Sequence, residues 1–246
     1  MPRFATANDV INRAAIEIGI PEDPNPVTST DENFVQLRGL LNSAGQEMVQ
    51  LHNWQGLTGR FEFTTVDTDT GIYELPDDFS HMIDQTGWDR TNRVAMGGPL
   101  SSQDWAYLEG RDLVSQSIYA SFRLDQNKLE LYPQPPPEGL QISFEYMTRN
   151  WLAEQGNTNN RHDVIATGTD VVLYEPILIV KFLKCKILEA KGFDASSARM
   201  EFENMFDART GKDEGASILS ASRSGRTFPY LNGYSSVGDT GFGGLP

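Results

Sequence analysis

The side chains able to do chemistry are few, and their spacing decides what they can do. Three histidines, His52, His81 and His162, lie far apart, with no HExxH spacing and no cysteine partner, so they do not form a zinc site pattern. Asp67-x-Asp69-x-Gly71 has the opening spacing of a calcium loop. The further oxygen donors and the closing glutamate are missing, which makes a hairpin turn the better reading. Asp77 and Asp78 are neighbours, and adjacent carboxylates serve turns, whereas a glycosidase pair is not defined by adjacency. No GxSxG or Walker A pattern occurs. Gly238, Gly241, Gly243 and Gly244 match a phosphate loop in composition only, with no helix to follow. The one cysteine, Cys185, sits in an apolar run and reads as a small buried hydrophobe rather than a reactive thiol. The expectation is a protein without catalysis, metal or cofactor.

The remaining candidates are contact residues. Lys181, Lys184 and Lys191 share one stripe of a helix; they face either the acids Glu201, Glu203 and Asp207 of the next helix and solvent, or an acidic neighbouring subunit. Arg223 and Arg226 precede Phe228, Tyr230 and Tyr234 in a Gly/Ser-rich segment, residues 211–246, that buries too little to fold alone. Aromatics at that density suit anchors, and the arginines could steer them to an acidic partner. This arm is expected to be mobile in the free protein and ordered in an assembly, along a neighbour or a docking partner.

The bulk numbers narrow the partners. The chain has 246 residues and a formal net charge of −14. That charge argues against gripping duplex DNA through its phosphates, but it allows DNA to slide past without adhering. One cysteine permits no disulfide within the chain, which fits intracellular assembly. No signal peptide is expected, because the first residues lead straight into a polar helix start. No membrane span is expected either, since residues 177–180 are followed by Lys181, Lys184 and Lys186, far short of roughly 20 apolar residues.

The elements that must position these groups are mostly helices at the two ends. Residues 7–18 read as a helix with Thr6 as cap and Asp9 in its first turn. Residues 30–53 read as a longer one, with Ser29 and Glu32 as a capping box. Its apolar residues Phe34, Leu37, Leu41, Ala44, Met48 and Leu51 step by 3, 4, 3, 4 and 3, a seam for packing on another helix. Trp54 closes it. Residues 60–64 and 71–75 alternate and read as a hairpin. Residues 101–109 read as a short helix, and residues 117–124, 128–132 and 140–146 as strands, the first two joined by a turn at Asp125-Gln126-Asn127. Residues 155–163 are polar and read as a loop. A short strand over 168–174 precedes a helix opened by Pro176 and stopped at Ala190-Lys191-Gly192, and a last helix covers 194–209.

The fold class is therefore α+β. The helices of both chain ends, residues 1–56 and 170–210, should form one bundle, with an antiparallel β module, residues 57–169, inserted between them and an extended arm, residues 211–246, after it.

Strand, Pro176, apolar helix, Lys184-x-Lys186, Ala190-Lys191-Gly192, Phe193-Asp194 and a second helix together resemble the C-terminal part of head-to-tail adaptors of short-tailed phages, also called connector or tail tubular A-like proteins. Asn8-Asp9-Val10-Ile11, the long helix ending His52-Asn53-Trp54, and the turn Tyr73-Glu74-Leu75-Pro76-Asp77-Asp78-Phe79 are similar to the same family. The likeness covers residues 7–79 and 168–206. It implies a non-enzymatic virion protein that assembles in the host cytoplasm as a homo-oligomeric ring, of twelve copies by the resemblance. Such a ring joins the portal protein to tail nozzle or fibre proteins, extends the DNA channel without sequence-specific binding, helps retain packaged DNA, and touches no membrane. Readings from other classes are a receptor- or carbohydrate-binding tail component, or a hydrolase built on the β module.

Overall fold

The computed structural model describes residues 4–66, 68, 70–111 and 121–213. Its first helix, α1, spans Ala7–Glu17 and begins as the residues dictate. The Thr6 hydroxyl accepts from the Asp9 N–H, and the Asp9 carboxylate accepts from the Thr6 N–H, each at 3.2 Å. Helix α2 spans Glu32–Leu51, and its cap is Asp31 rather than Ser29. The Asp31 carboxylate accepts from the Asn33 N–H at 2.9 Å, while the Ser29 hydroxyl only receives the Asp31 N–H at 3.4 Å. A charged acceptor next to the first turn complements the positive end of the helix better than a neutral one. Five of the six seam residues are buried, but Leu51, in the last turn, is half exposed.

Helix α3, Ser102–Arg111, lies within the β-rich part, and Ser101 caps it by accepting from the Asp104 N–H. Helix α4 spans Pro176–Ala190, with proline in its first turn where no N–H is needed. Gly192 follows its end with φ +74°, a backbone that favours glycine. Helix α5 spans Ser196–Asp213, so the segment read as the start of the arm, residues 211–213, is helical.

Helix α4 is the centre of the helical layer and packs against α1, α2 and α5. One core contains Val10 and Ile11 of α1, Leu37, Leu41 and Met48 of α2, Leu178, Ile179 and Leu183 of α4, and Phe202 of α5. Each such aliphatic side chain contributes about 1.5–3 kcal/mol when fully buried. The two ends of the chain thus share one apolar interior. The first residues are also stitched to the stretch before α4: Val172 N–H donates to the Ala5 carbonyl at 2.9 Å, and Ala7 N–H to the Asp170 carbonyl at 2.8 Å.

Among the described residues the strands form three antiparallel sheets. In chain order they are β1 (Thr58–Thr64), β2 (Ile72–Glu74), β3 (Phe79–Met82), β4 (Trp88–Asp89), β5 (Val94–Ala95), β6 (Ser121–Asp125), β7 (Lys128–Tyr132), β8 (Gln141–Thr148), β9 (Leu152–Glu154), β10 (Asn157–His162) and β11 (Val171–Val172). The largest sheet runs β1-β8-β4-β5, with β3 also on β8; the others run β2-β7-β6 and β10-β9-β11. Strand β8 is buried along the face of Ile142, Phe144, Tyr146 and Thr148, while Gln141 and Glu145 on the other face are exposed.

Two sequence expectations are corrected here. Strands β1 and β2 are not a hairpin: β1 pairs with β8 over seven residues, from Thr58 with Met147 to Thr64 with Gln141, while β2 pairs with β7. The three-residue β2 could offer β1 only a short ladder, and the longer pairing makes more hydrogen bonds, each worth about 0.5–1.5 kcal/mol net. Residues 155–163 are also no loop, since β9 and β10 pair across them. The turn at residues 125–127 does join β6 to β7, although the first residues expected in that strand, 117–120, lie outside the described set. Phe122, Leu129, Leu131, Ile142, Phe144 and Tyr146 form a second apolar cluster between the sheets.

Candidate docking surfaces

Helix α4 carries the lysine row, and the fold supplies an acceptor for each member. Lys181 Nζ lies 3.1 Å from both Glu17 Oε2 of α1 and Glu201 Oε2 of α5. Lys184 reaches the same two carboxylates at 3.2 and 4.0 Å. Lys186, one residue off the stripe, donates to Glu47 of α2 at 2.6 Å. Lys191 donates to the neutral Asn33 Oδ1 of α2 at 2.7 Å. The row thus clips α4 to all three of its neighbours. Hydrogen bonds that Lys181 donates to Glu201 and then Glu17 raise its pKa, and the Lys181 ammonium lowers that of Glu201. Of the acids foreseen on α5, Glu201 is the one that meets the lysines. Glu17 was not foreseen, because it lies 164 residues from Lys181 in sequence. Exposed pairs of this kind each contribute about 0–1 kcal/mol, so they fix geometry more than they stabilise.

Arg223, Arg226, Phe228, Tyr230 and Tyr234 lie outside the described residues. Their point of departure is defined. Asp213, the last residue of α5, accepts from the Gln55 N–H at 3.0 Å and lies 3.5 Å from His52 Nε2. Arg209 and Glu175 pair at 3.3 Å beside it. These contacts border a cavity of about 380 Å³ that also involves Trp54, Tyr174 and Lys212. A second cavity, of about 330 Å³, lies at the opposite end of the helical layer between the C-terminal ends of α1 and α4.

The groups weighed for catalysis have structural partners. Asp67 and Asp69 lie outside the described residues. Residues 76–79 form the expected turn, closed by Phe79 N–H to the Pro76 carbonyl at 2.9 Å, and Asp78 accepts from the Tyr146 hydroxyl at 3.0 Å. Burial, helped by Asp78, pushes the Tyr146 phenol up to about 12. His81 bonds Asn53 at 2.9 Å, and its burial lowers its pKa against the pull of Asp84. Cys185 is buried, and burial followed by Glu189 raises its thiol, which makes it a poor nucleophile. Among the described residues no three His, Cys, Asp or Glu side chains gather as a metal site, and no helix is long and apolar enough to cross a membrane.

One constellation escaped the sequence reading. Asp170, almost fully buried, accepts from the N–H groups of Ala166 and Thr167 at 2.8 Å, from the Thr167 hydroxyl at 2.5 Å, and faces His162 Nε2 at 3.0 Å. Burial alone would raise its pKa, but the bonds from Thr167, His162 and Ala166 outweigh burial and hold it below the ordinary carboxylate value. These donors hold the carboxylate within its own loop. Its role is to shape the loop whose carbonyls, at Gly168 and Asp170, receive the first N–H groups of α1. The signal available was Thr167-Gly168-Thr169-Asp170, a run rich in turn formers.

The described residues thus show helices clipped together by ion pairs, carboxylates engaged in turns, and cavities at the two ends of the helical layer. The family model for the SU10 adaptor protein matches residues 5–227. The comparison with curated proteins gives no match. The matched span begins just before the Thr6 cap, crosses every helix and sheet described above, and extends past α5, so the whole fold carries the likeness rather than one motif. The chain therefore belongs to the SU10 adaptor protein family and is a structural adaptor protein of phage.

Proposed function

We propose that copies of this chain close into a ring, of twelve by the resemblance, at the neck of the virion. The ring joins the portal protein to the tail nozzle or fibres, prolongs the channel for DNA and helps retain the packaged genome. The observation that carries this reading is the family match over residues 5–227. The net charge of −14 supports it, because an acidic channel wall repels phosphates and lets DNA pass. Ring contacts are heterologous, so one face of a subunit must fit a different face of the next. We assign subunit and portal contacts to the arm, with Phe228, Tyr230 and Tyr234 as anchors and Arg223 and Arg226 steering them. Of the three stripe lysines, Lys191, whose acceptor is neutral, is the one best placed to meet a neighbour. Assembly takes place in the host cytoplasm before the ring joins the particle.

Reconstruction of particles carrying the protein tests the proposal. The expected density is one cyclic ring between portal and tail; a single copy or a dyad dimer there overturns it. Truncation before Ser222 tests the arm separately: shortened chains should dock poorly on portal-bearing heads and leak DNA, and docking equal to the full chain removes the arm from the reading.

A further inference from the structure

Helix α4 ends in a way that leaves an aromatic ring uncovered. Gly192 N–H donates to the Glu189 carbonyl and Phe193 N–H to the Leu188 carbonyl, at 3.0 and 2.9 Å. This closure sets Phe193 beside Leu188, the apolar contact such helix ends make. That contact covers only part of the ring, since Phe193 remains 64% exposed. The ring borders the cavity of about 330 Å³ noted above, which is walled by Ile18 and Ile20 after α1 and by Ile187 and Leu188 of α4, with the Glu17–Lys184 ion pair also on its lining. Lys191 stands at its rim, and its ammonium donates to an amide oxygen rather than to a carboxylate. A largely apolar slot with a cation at its mouth that meets a neutral acceptor is suited to an aromatic side chain, whose face attracts the cation while its edge fills the slot.

We propose that this slot receives residues 228–230, Phe-Pro-Tyr, of the arm of the neighbouring copy in the ring. The inference rests on the ring reading above. Three observations select this occupant. The described chain stops at Asp213, and the 33 residues beyond it, 214–246, hold Phe228, Tyr230, Tyr234 and Phe242. The slot and the point of departure lie at opposite ends of α5, an 18-residue helix, and so roughly 27 Å apart at 1.5 Å per residue. Tyr230 stands 17 residues past Asp213, a reach of up to about 60 Å when extended. An arm that leaves one end of a subunit and a receptor slot at the other end are the two unlike halves that a closed heterologous contact requires. The ring also gains a contact that each subunit both gives and receives.

The test pairs two singly substituted chains. Phe193→Cys is made in one preparation and Thr227→Cys in another, each otherwise wild type, with Cys185 buried and out of reach. They are mixed, assembled on portal-bearing heads and oxidised. The expected result is a disulfide-linked pair of chains from the mixture and none from either preparation alone. The substitutions Phe228→Ser and Tyr230→Ser, which lie outside the described core, should raise amide exchange at residues 187–193 in the assembled ring by tenfold or more while leaving α1 and α2 unchanged. A cross-link that forms only when one dilute chain carries both cysteines overturns the proposal, because the arm then folds onto its own subunit. Rings that form without a cross-link, and with unchanged exchange at 187–193, overturn the slot assignment and leave the ring reading standing. Failure of any ring to form overturns both.

Discussion

Replacing Gly45 by alanine probes the packing that joins α2 to the segment before α4. The Trp151 ring lies flat against Gly45, and a Cβ there would come within 3.0 Å of three of its carbons. Trp151 is also fixed from two other sides. Its indole N–H donates to the Asp163 carbonyl at 2.9 Å, and its ring stacks on Tyr174 at 6.1 Å and 14°. Tyr174 in turn donates its hydroxyl to the Gly45 carbonyl at 2.8 Å, so the three residues form a closed unit. A methyl group at position 45 must push α2 outward, at about 1–3 kcal/mol for overpacking, or displace the ring. Displacement loses a hydrogen bond worth about 1 kcal/mol, a stacking term of about 0.5–1.5 kcal/mol, and a share of the Trp151 burial. Alanine recovers about 1 kcal/mol of helix propensity. The net expectation is destabilisation by about 2–3 kcal/mol, or a fall in Tm of roughly 4–12 °C for a chain of this size. Gly39→Ala on the same helix is the control. Nothing lies within 4 Å of its Cβ position, so only the propensity gain remains and this variant should be stabilised by up to about 1 kcal/mol. Thermal and urea unfolding followed by circular dichroism and tryptophan fluorescence distinguish the two. If Gly45→Ala is as stable as Gly39→Ala, the packing argument is wrong.

Thr6→Ala removes the hydroxyl that accepts from Asp9 and should cost about 1 kcal/mol in urea unfolding, with Thr6→Ser restoring most of it. Asp170 gives a pH signature. Its pKa in the folded chain lies below the 3.8 of an ordinary aspartate, so its contribution is complete above about pH 4 and is lost as pH falls through the folded value. Asp170→Asn should therefore be less stable at neutral pH and should lose less on acidification below pH 4; urea midpoints that stay parallel to wild type from pH 7 to pH 2.5 would refute the assignment.

The helices were legible because their determinants are local. Thr6 with Asp9, the spacing of Phe34, Leu37, Leu41, Ala44 and Met48, and Pro176 with Gly192 each act within a few residues. The strand partners were not, because pairing is decided by whichever distant strand offers the longest buried ladder. Nothing near Arg60 announces that its partner is Glu145. Strand β10 was missed for another reason. Asn157, Asn159 and Asn160 carry no apolar alternation, and the strand stays exposed on the outside of its sheet, held by pairing rather than by burial. The lysine row was placed on the right helix from spacing alone, but half of its counter-charge, Glu17, comes from the other end of the chain.

The stitch between Ala5–Ala7 and Asp170–Val172 has a consequence for how the protein is made. A ribosome releases α1 and α2 first, yet their apolar faces are covered by α4, which emerges only after the whole β-rich part. The sheets can pair while synthesis continues, whereas the helical layer has to wait. During that interval Ile11, Leu37 and Leu41 lack their partners on α4. A chain cut short before α4 lacks the cover that Leu178, Ile179 and Leu183 give them. Burial of the faces of α1 and α2 against α4 is thus the last step that the order of the chain allows.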